Sequence, residues 1–165
     1  MKKLFIVRHA KSSMASYGQA DFDRPLNERG KTDAILMAKR LKEKTAEPVF
    51  FVSSPARRAR KTAKAFCQNF GLQKESLQLE DSLYNAPAIA YQKVLETLDN
   101  SIQSVAIFGH NPGITDFVNT LVDHAKVDTM PTCAIFAVRF ELNDWKDFVH
   151  AEKHFLFFDF PKKEV

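Results

Sequence analysis

A chain of 165 residues, 45% hydrophobic and 27% charged, has the size and balance of one globular domain, and residues 1–165 are read as such, without repeats or low-complexity tracts. A formal net charge of +4 suits an acidic or phosphorylated ligand, but no basic stretch interleaved with aromatics appears, which argues against nucleic acid. No stretch approaches membrane-spanning length, and Arg8 cuts off the apolar run after Lys2-Lys3 before it could act as a signal peptide, so a cytoplasmic protein without membrane contact is expected.

Leu4-Phe5-Ile6-Val7 is an apolar run of the kind a strand buried on both faces requires, and it ends in Arg8-His9-Ala10. A polar loop follows, through Ser12, Asp21, Asp23 and Arg24. Asn27 is the expected cap of a helix to about Lys44, in which Ala34, Met37, Ala38 and Leu41 recur at helical spacing. Pro48 opens a second buried strand over residues 49–52, ending in Ser53-Ser54-Pro55. Ser54 is expected to cap, and Pro55 to start, a helix to about Phe70. Its core stripe is Ala59, Ala63, Phe66 and Phe70. Arg57, Arg60, Lys61, Lys64 and Gln68 form the solvated face, and Arg58 flanks the boundary beside the strand end.

Residues 77–79 read as a short strand, and a helix carrying Tyr91, Val94, Leu95 and Leu98 follows. A third buried strand, residues 104–108, ends in Gly109-His110. Asn111 and Pro112 are expected to cap and start a fourth helix, with Ile114, Phe117, Val118, Leu121 and Val122 facing inward. A long strand over residues 133–142 and a last strand over 155–158 complete the fold, and the Lys162-Lys163-Glu164 tail is expected to fray. Strands alternating with helices imply an α/β fold: a three-layer α/β/α sandwich around a largely parallel, mixed sheet.

Three apolar strands end alike, in Arg8-His9, in Ser-Ser-Pro with Arg58 a turn later, and in Gly-His110. If parallel, they bring these residues to one sheet edge, where open α/β folds bind ligands. Two His and two Arg without a carboxylate partner make a pocket for a tetrahedral dianion. A His among Arg residues has its pKa lowered by their charge, stays neutral at pH 7, and can attack phosphorus. The helix expected at Pro112 would add backbone N–H donors. Cys67 and Cys133 lack metal-ligand spacing and read as free buried thiols. Cys133-x5-Arg139 matches cysteine-phosphatase spacing, but the intervening residues are apolar and strand-like, and the match is taken as accidental. No cofactor or metal is expected.

Arg8-His9-Ala10, Ser54-Pro55-x-x-Arg58-Ala59-x-x-Thr62 and Gly109-His110-Asn111-Pro112 together resemble the histidine phosphatase superfamily, with its phosphoglycerate-mutase-like fold. The short length and Arg24-Pro25-Leu26-Asn27-x-x-Gly30 resemble its SixA-type phosphohistidine phosphatase branch. The resemblance implies a fold without a sizeable cap insertion, with His9 as phosphoryl acceptor and Arg8, Arg58 and His110 binding the phosphoryl group. Arg24, Ser12 and Asn111 are the further candidates for substrate contact. The sequence departs from the wider family at Ala10, where Gly is common, and lacks the Asn that larger members use after that motif. The family places an acidic proton donor before Tyr84, where Asp81 falls and Glu80 competes. The expected activity is removal of phosphate from phosphohistidine on a partner protein. The alternatives are hydrolysis of a small phosphorylated metabolite or non-catalytic binding of phosphorylated partners.

Overall fold

The computed structural model describes residues 1–163. Six strands form one sheet: β1 (Lys2–Arg8), β2 (Phe50–Ser53), β3 (Leu77–Leu79), β4 (Ser104–Gly109), β5 (Ile135–Phe140) and β6 (His154–Asp159), in the order β3-β2-β4-β1-β5-β6. β1, β2, β3 and β4 run parallel, whereas β5 is antiparallel to β1 and β6 to β5. The sheet is therefore mixed, as expected, because the last two strands are joined without a crossover helix.

Helices α1 (Glu28–Lys44), α2 (Arg57–Asn69), α3 (Ala88–Glu96) and α4 (Gly113–Val118) cover the two faces. The split follows from alternation along β1. Phe5 and Val7 pack with Met37, Leu41 and Phe66 of α1 and α2. Leu4 and Ile6 pack with Tyr91, Leu95 and Phe117 of α3 and α4. Both faces of β1 are thus dry, which is why its sequence reads as a continuous apolar run. Among the described residues no helix is long and apolar enough to cross a membrane.

Several local expectations shift. Asn27 caps α1 as expected, its Oδ1 accepting from Gly30 N–H at 2.8 Å. Gly30 must be glycine, because a Cβ there would meet the Lys11 carbonyl oxygen of the loop leaving β1. α2 starts two residues later than predicted, at Arg57. The Ser54 hydroxyl accepts from Ala56 N–H at 3.2 Å and lies 2.7 Å from the His110 ring, so it ties turn to site and does not cap the helix. Asn111 is not a cap either. Its amide is held by Thr115 and Met130, and α4 is a six-residue helix that supplies no extended donor row.

The predicted strand over residues 133–142 is shorter, because Cys133 has φ 60° and ends a turn before β5 begins. A 3-10 segment, Trp145–His150, has no counterpart in the sequence reading, and it buries Trp145 and Phe148. In the tail, Lys163 N–H donates to the Phe160 carbonyl at 3.0 Å, and Glu164 lies outside the described residues.

Candidate active site

β2, β4 and β1 are neighbours and parallel, so their carboxyl ends lie side by side: Arg8 pairs with Gly109, and Ser53 with Phe108. The sheet therefore delivers His9 and His110 to the same edge. Their ring centroids are 5.2 Å apart, and both residues are buried. The turn after β2 brings Ser54 and then Arg58 to the same place.

His9 Nδ1 lies 2.7 Å from the Ala10 carbonyl oxygen. A carbonyl only accepts, so Nδ1 carries the proton and Nε2 of the neutral ring keeps its lone pair. Ala10 N–H in turn donates to Thr62 Oγ1 at 2.9 Å, and the Thr62 hydroxyl donates to the Arg58 carbonyl at 2.7 Å. One buried hydroxyl of α2 thereby joins the backbone that orients His9 to the backbone of Arg58.

Burial pushes the His9 imidazole down to about 3, with smaller contributions from His110, Arg8 and Arg58 and opposition from the Ala10 hydrogen bond. His110 is pushed down to about 4, again by burial first and Arg58 second. The sequence points to the cations as the cause; desolvation leads, because both rings sit at a dry sheet edge. His110 Nε2 lies 2.7 Å from Ser54 Oγ, and its Nδ1 is buried with no partner among the described residues.

Arg8 Nη1 donates to the Met130 carbonyl at 2.9 Å, its Nε is buried without a partner among the described residues, and burial lowers its pKa. The same carbonyl accepts from Asn111 Nδ2 at 3.1 Å. Cys133 N–H bonds the carbonyls of both Arg8 (3.1 Å) and His9 (3.0 Å). The segment before β5 thus clamps the end of β1 from the far side. Cys133 itself is fully buried with its thiol pushed up by desolvation, consistent with an accidental spacing match.

Arg58 is buried, and its guanidinium is held by Asp21, which the sequence shows only as part of the polar loop after the first strand. Nη1 donates to the Asp21 carbonyl at 2.8 Å and Nη2 to Asp21 Oδ2 at 3.0 Å. Asp21 also accepts from the Tyr84 hydroxyl at 2.7 Å and from Arg24 Nη1 at 2.9 Å. These bonds, Tyr84 first, hold its carboxyl at about 2. The only signal in the sequence is local: an Asp three residues before Arg24, in the loop leaving the first strand. Tyr84 stands edge-on to His110, with centroids 5.7 Å apart.

Of the remaining candidates, Arg24 reaches the loop backbone at Ser13 (3.0 Å) and Ser12 Oγ (2.6 Å), so Ser12 and Arg24 are one hydrogen-bonded unit. Asp81 is not drawn into the cluster. It is exposed at the head of a 3-10 turn, and its carboxylate has no partner among the described residues. A cavity of about 530 Å³ opens at the opposite, amino ends of β2 and β4, lined by Phe50, Ile102 and Ser104, away from both histidines. Among the described residues no three His, Cys, Asp or Glu side chains could share a metal ion. The site is a neutral imidazole pair beside two guanidinium groups, one of them countered by Asp21, and such a site attracts an oxyanion and offers a nitrogen lone pair.

The family model described as "Histidine phosphatase superfamily (branch 1)" matches residues 4–85. An uncharacterized chloroplastic protein of Arabidopsis thaliana is 28% identical over 155 residues, spanning 88% of this chain and 70% of that protein. The structure of SixA from Agrobacterium tumefaciens is similar at 26% identity and a TM-score of 0.77, over 95% of this chain and 96% of that one. The protein histidine phosphatase SixA complexed with tungstate shares the fold at 24% identity and a TM-score of 0.80, over 96% and 97% of the two chains. With paired histidines at the ends of adjacent parallel strands, and a fold matched end to end by these short relatives, this chain belongs to the histidine phosphatase superfamily, in its SixA-type branch.

Proposed function

We propose that the whole chain works as one domain, a phosphatase that takes the phosphoryl group from phosphohistidine on a partner protein, with His9 as the transient acceptor. The observation that carries this reading is the Nδ1 proton of His9 held on the Ala10 carbonyl, which leaves Nε2 free to attack. In the first step His9 Nε2 bonds to phosphorus as the bond from phosphorus to the substrate imidazole breaks. The distal nitrogen of that imidazole is already protonated, so it leaves as a neutral ring and needs no separate acid.

In the second step water attacks phosphorus and the bond to Nε2 breaks. Because Nδ1 keeps its proton throughout, His9 also leaves neutral, and the proton of the water goes to phosphate and solvent. Arg8, Arg58 and His110 stabilise the equatorial oxygens, and Arg24, Ser12 and Asn111 border the substrate. Asp81 enters only for an ester, whose alkoxide must be protonated. Tungstate, bound in the SixA relative, is a tetrahedral oxyanion and supports a pocket of this kind. Two free buried thiols fit a reducing, cytoplasmic location.

The test is a histidine-phosphorylated phosphotransfer domain incubated with the protein, followed by acid-sensitive detection of phosphate on both chains. Release of phosphate, with an acid-labile phosphoryl group on wild type but not on His9→Ala, is expected. Turnover by His9→Ala at the wild-type rate would remove His9 from the mechanism. Turnover of sugar phosphates with none of the phosphoprotein would move the substrate to small metabolites.

A further inference from the structure

A groove of about 380 Å³ runs between α1 and α2, with Leu26, Ala34 and Ile35 on its floor and Lys31, Arg57 and Lys61 along its rim. It begins where the histidine site ends. Leu26 lies two residues after Arg24, Arg57 precedes Arg58, and Arg57 Nη1 reaches the Asp23 carbonyl at 3.4 Å. Ile35 is 47% exposed, so an apolar side chain faces solvent in the middle of a cationic frame.

The charge pattern of α2 is costly for the fold alone. Its 13 residues carry Arg57, Arg58, Arg60, Lys61 and Lys64 and no carboxylate. Four of the five cations occupy its first five residues, at the positive end of the helix dipole, where cations destabilise. Arg58 has Asp21, but Arg57, Arg60 and Lys61 have no ion pair among the described residues, and Lys31 pairs only with exposed Glu28 at 3.1 Å. The Lys64 ammonium is pushed below its usual range by partial burial, then by Arg60, Lys61 and Lys74, so the cations repel one another.

We propose that this groove docks the partner protein itself, through an amphipathic helix whose apolar stripe is flanked by carboxylates, and so holds the phosphohistidine over His9. The inference rests on the phosphohistidine reading above and adds the surface that selects the partner. A trough between two packed helices receives the ridge of a third, its apolar floor takes that helix's apolar stripe, and its unpaired cations take the flanking acids. Steering by such a frame acts on association, so it affects kcat/KM for the protein and not the chemistry at His9.

The test compares Lys31→Glu/Lys61→Glu with wild type on two substrates, a histidine-phosphorylated, acidic phosphotransfer domain and the small molecule phosphoramidate. Lys93→Glu, exposed on α3 across the sheet, controls for charge alone. The double variant is expected to lose about tenfold or more in kcat/KM on the protein, with rates on phosphoramidate within about twofold and Lys93→Glu like wild type. Raising salt should slow wild type on the protein and narrow the gap. Equal loss on both substrates, no loss on the protein, or the same loss in Lys93→Glu would each overturn the proposal. So would a wild-type dimer that the double variant dissolves, which would assign the groove to a second copy. A wild type active on phosphoramidate but inert on the phosphoprotein would remove the phosphohistidine-protein reading, and the groove's role with it.

Discussion

Arg58 and Asp21 are joined twice, through the Asp21 carbonyl and its carboxylate, at 2.8 and 3.0 Å. A carboxylate on the guanidinium proposed to bind phosphate neutralises part of the field an incoming oxyanion would feel. Asp21→Asn keeps the shape and removes the charge. Phosphate and tungstate should then inhibit at about three- to tenfold lower concentration, with less than about 1 kcal/mol lost in stability, because the pair is partly exposed. Weaker inhibition would mean that Asp21 serves mainly to aim Arg58.

The buried histidines set the pH behaviour. Both have folded pKa values below the usual 6.5, about 3 for His9 and about 4 for His110. The unfolded chain therefore binds more protons than the folded one between those values and 6.5. Stability is unaffected above pH 6.5 and falls as the pH drops from there toward 3, by on the order of a few kcal/mol. His110→Gln should flatten that decline in urea titrations between pH 6.5 and 4. Turnover should show no acid limb between pH 6.5 and about 5, because the His9 ring proposed as the nucleophile is still neutral there. An acid limb near pH 6.5 would contradict the dry setting of these rings.

Thr62 is a positioning residue. Thr62→Val removes both the acceptor for Ala10 N–H and the donor to the Arg58 carbonyl. An orphaned buried amide costs about 1–3 kcal/mol, and the Ala10 carbonyl loses its fixed direction toward His9. A lower melting temperature and about a tenfold fall in kcat with little change in KM are expected, restored by Thr62→Ser. If Val lowers stability but leaves kcat intact, the contact is structural only.

Ser54 bears on His110 in a similar way. One of the hydroxyl's two lone pairs accepts from Ala56 N–H, and its proton is free to be donated to His110 Nε2; we predict that it is, which puts the ring proton on the unpartnered Nδ1, ready for a phosphoryl oxygen. Ser54→Ala frees that choice and should weaken phosphate inhibition by about tenfold. Unchanged inhibition together with an unchanged imidazole tautomer by nitrogen NMR would argue against this assignment.

The meeting of Arg8, His9, Arg58 and His110 was legible because each follows an apolar run that only a doubly covered strand tolerates, and parallel strands end on one side. Asp21 was not legible. A loop carboxylate has no periodicity, and its meaning comes from Arg58, 37 residues away. Ser54 reads as a cap because Ser before Pro has the right local chemistry, but His110, just past the end of β4, takes its hydroxyl. The Trp145–His150 turn escaped because its two buried aromatics belong to no repeating pattern. The depressed histidine pKa values were anticipated in direction but credited to charge, since burial at a strand end cannot be gauged from composition.

The first strand lies between the fourth and the fifth in the sheet, and its carboxyl end is clasped by Cys133 and Met130. During synthesis, then, the chain's earliest strand waits unpaired on both edges until more than 100 further residues have left the ribosome. His9 receives its last backbone contact, from Cys133 N–H, only when the last third of the protein arrives. A fragment ending after the fourth helix would carry every motif by which the family is recognised and still lack the Cys133 N–H that bonds the carbonyls of Arg8 and His9. In this fold the strand that leads to the paired histidines is made first and clasped last.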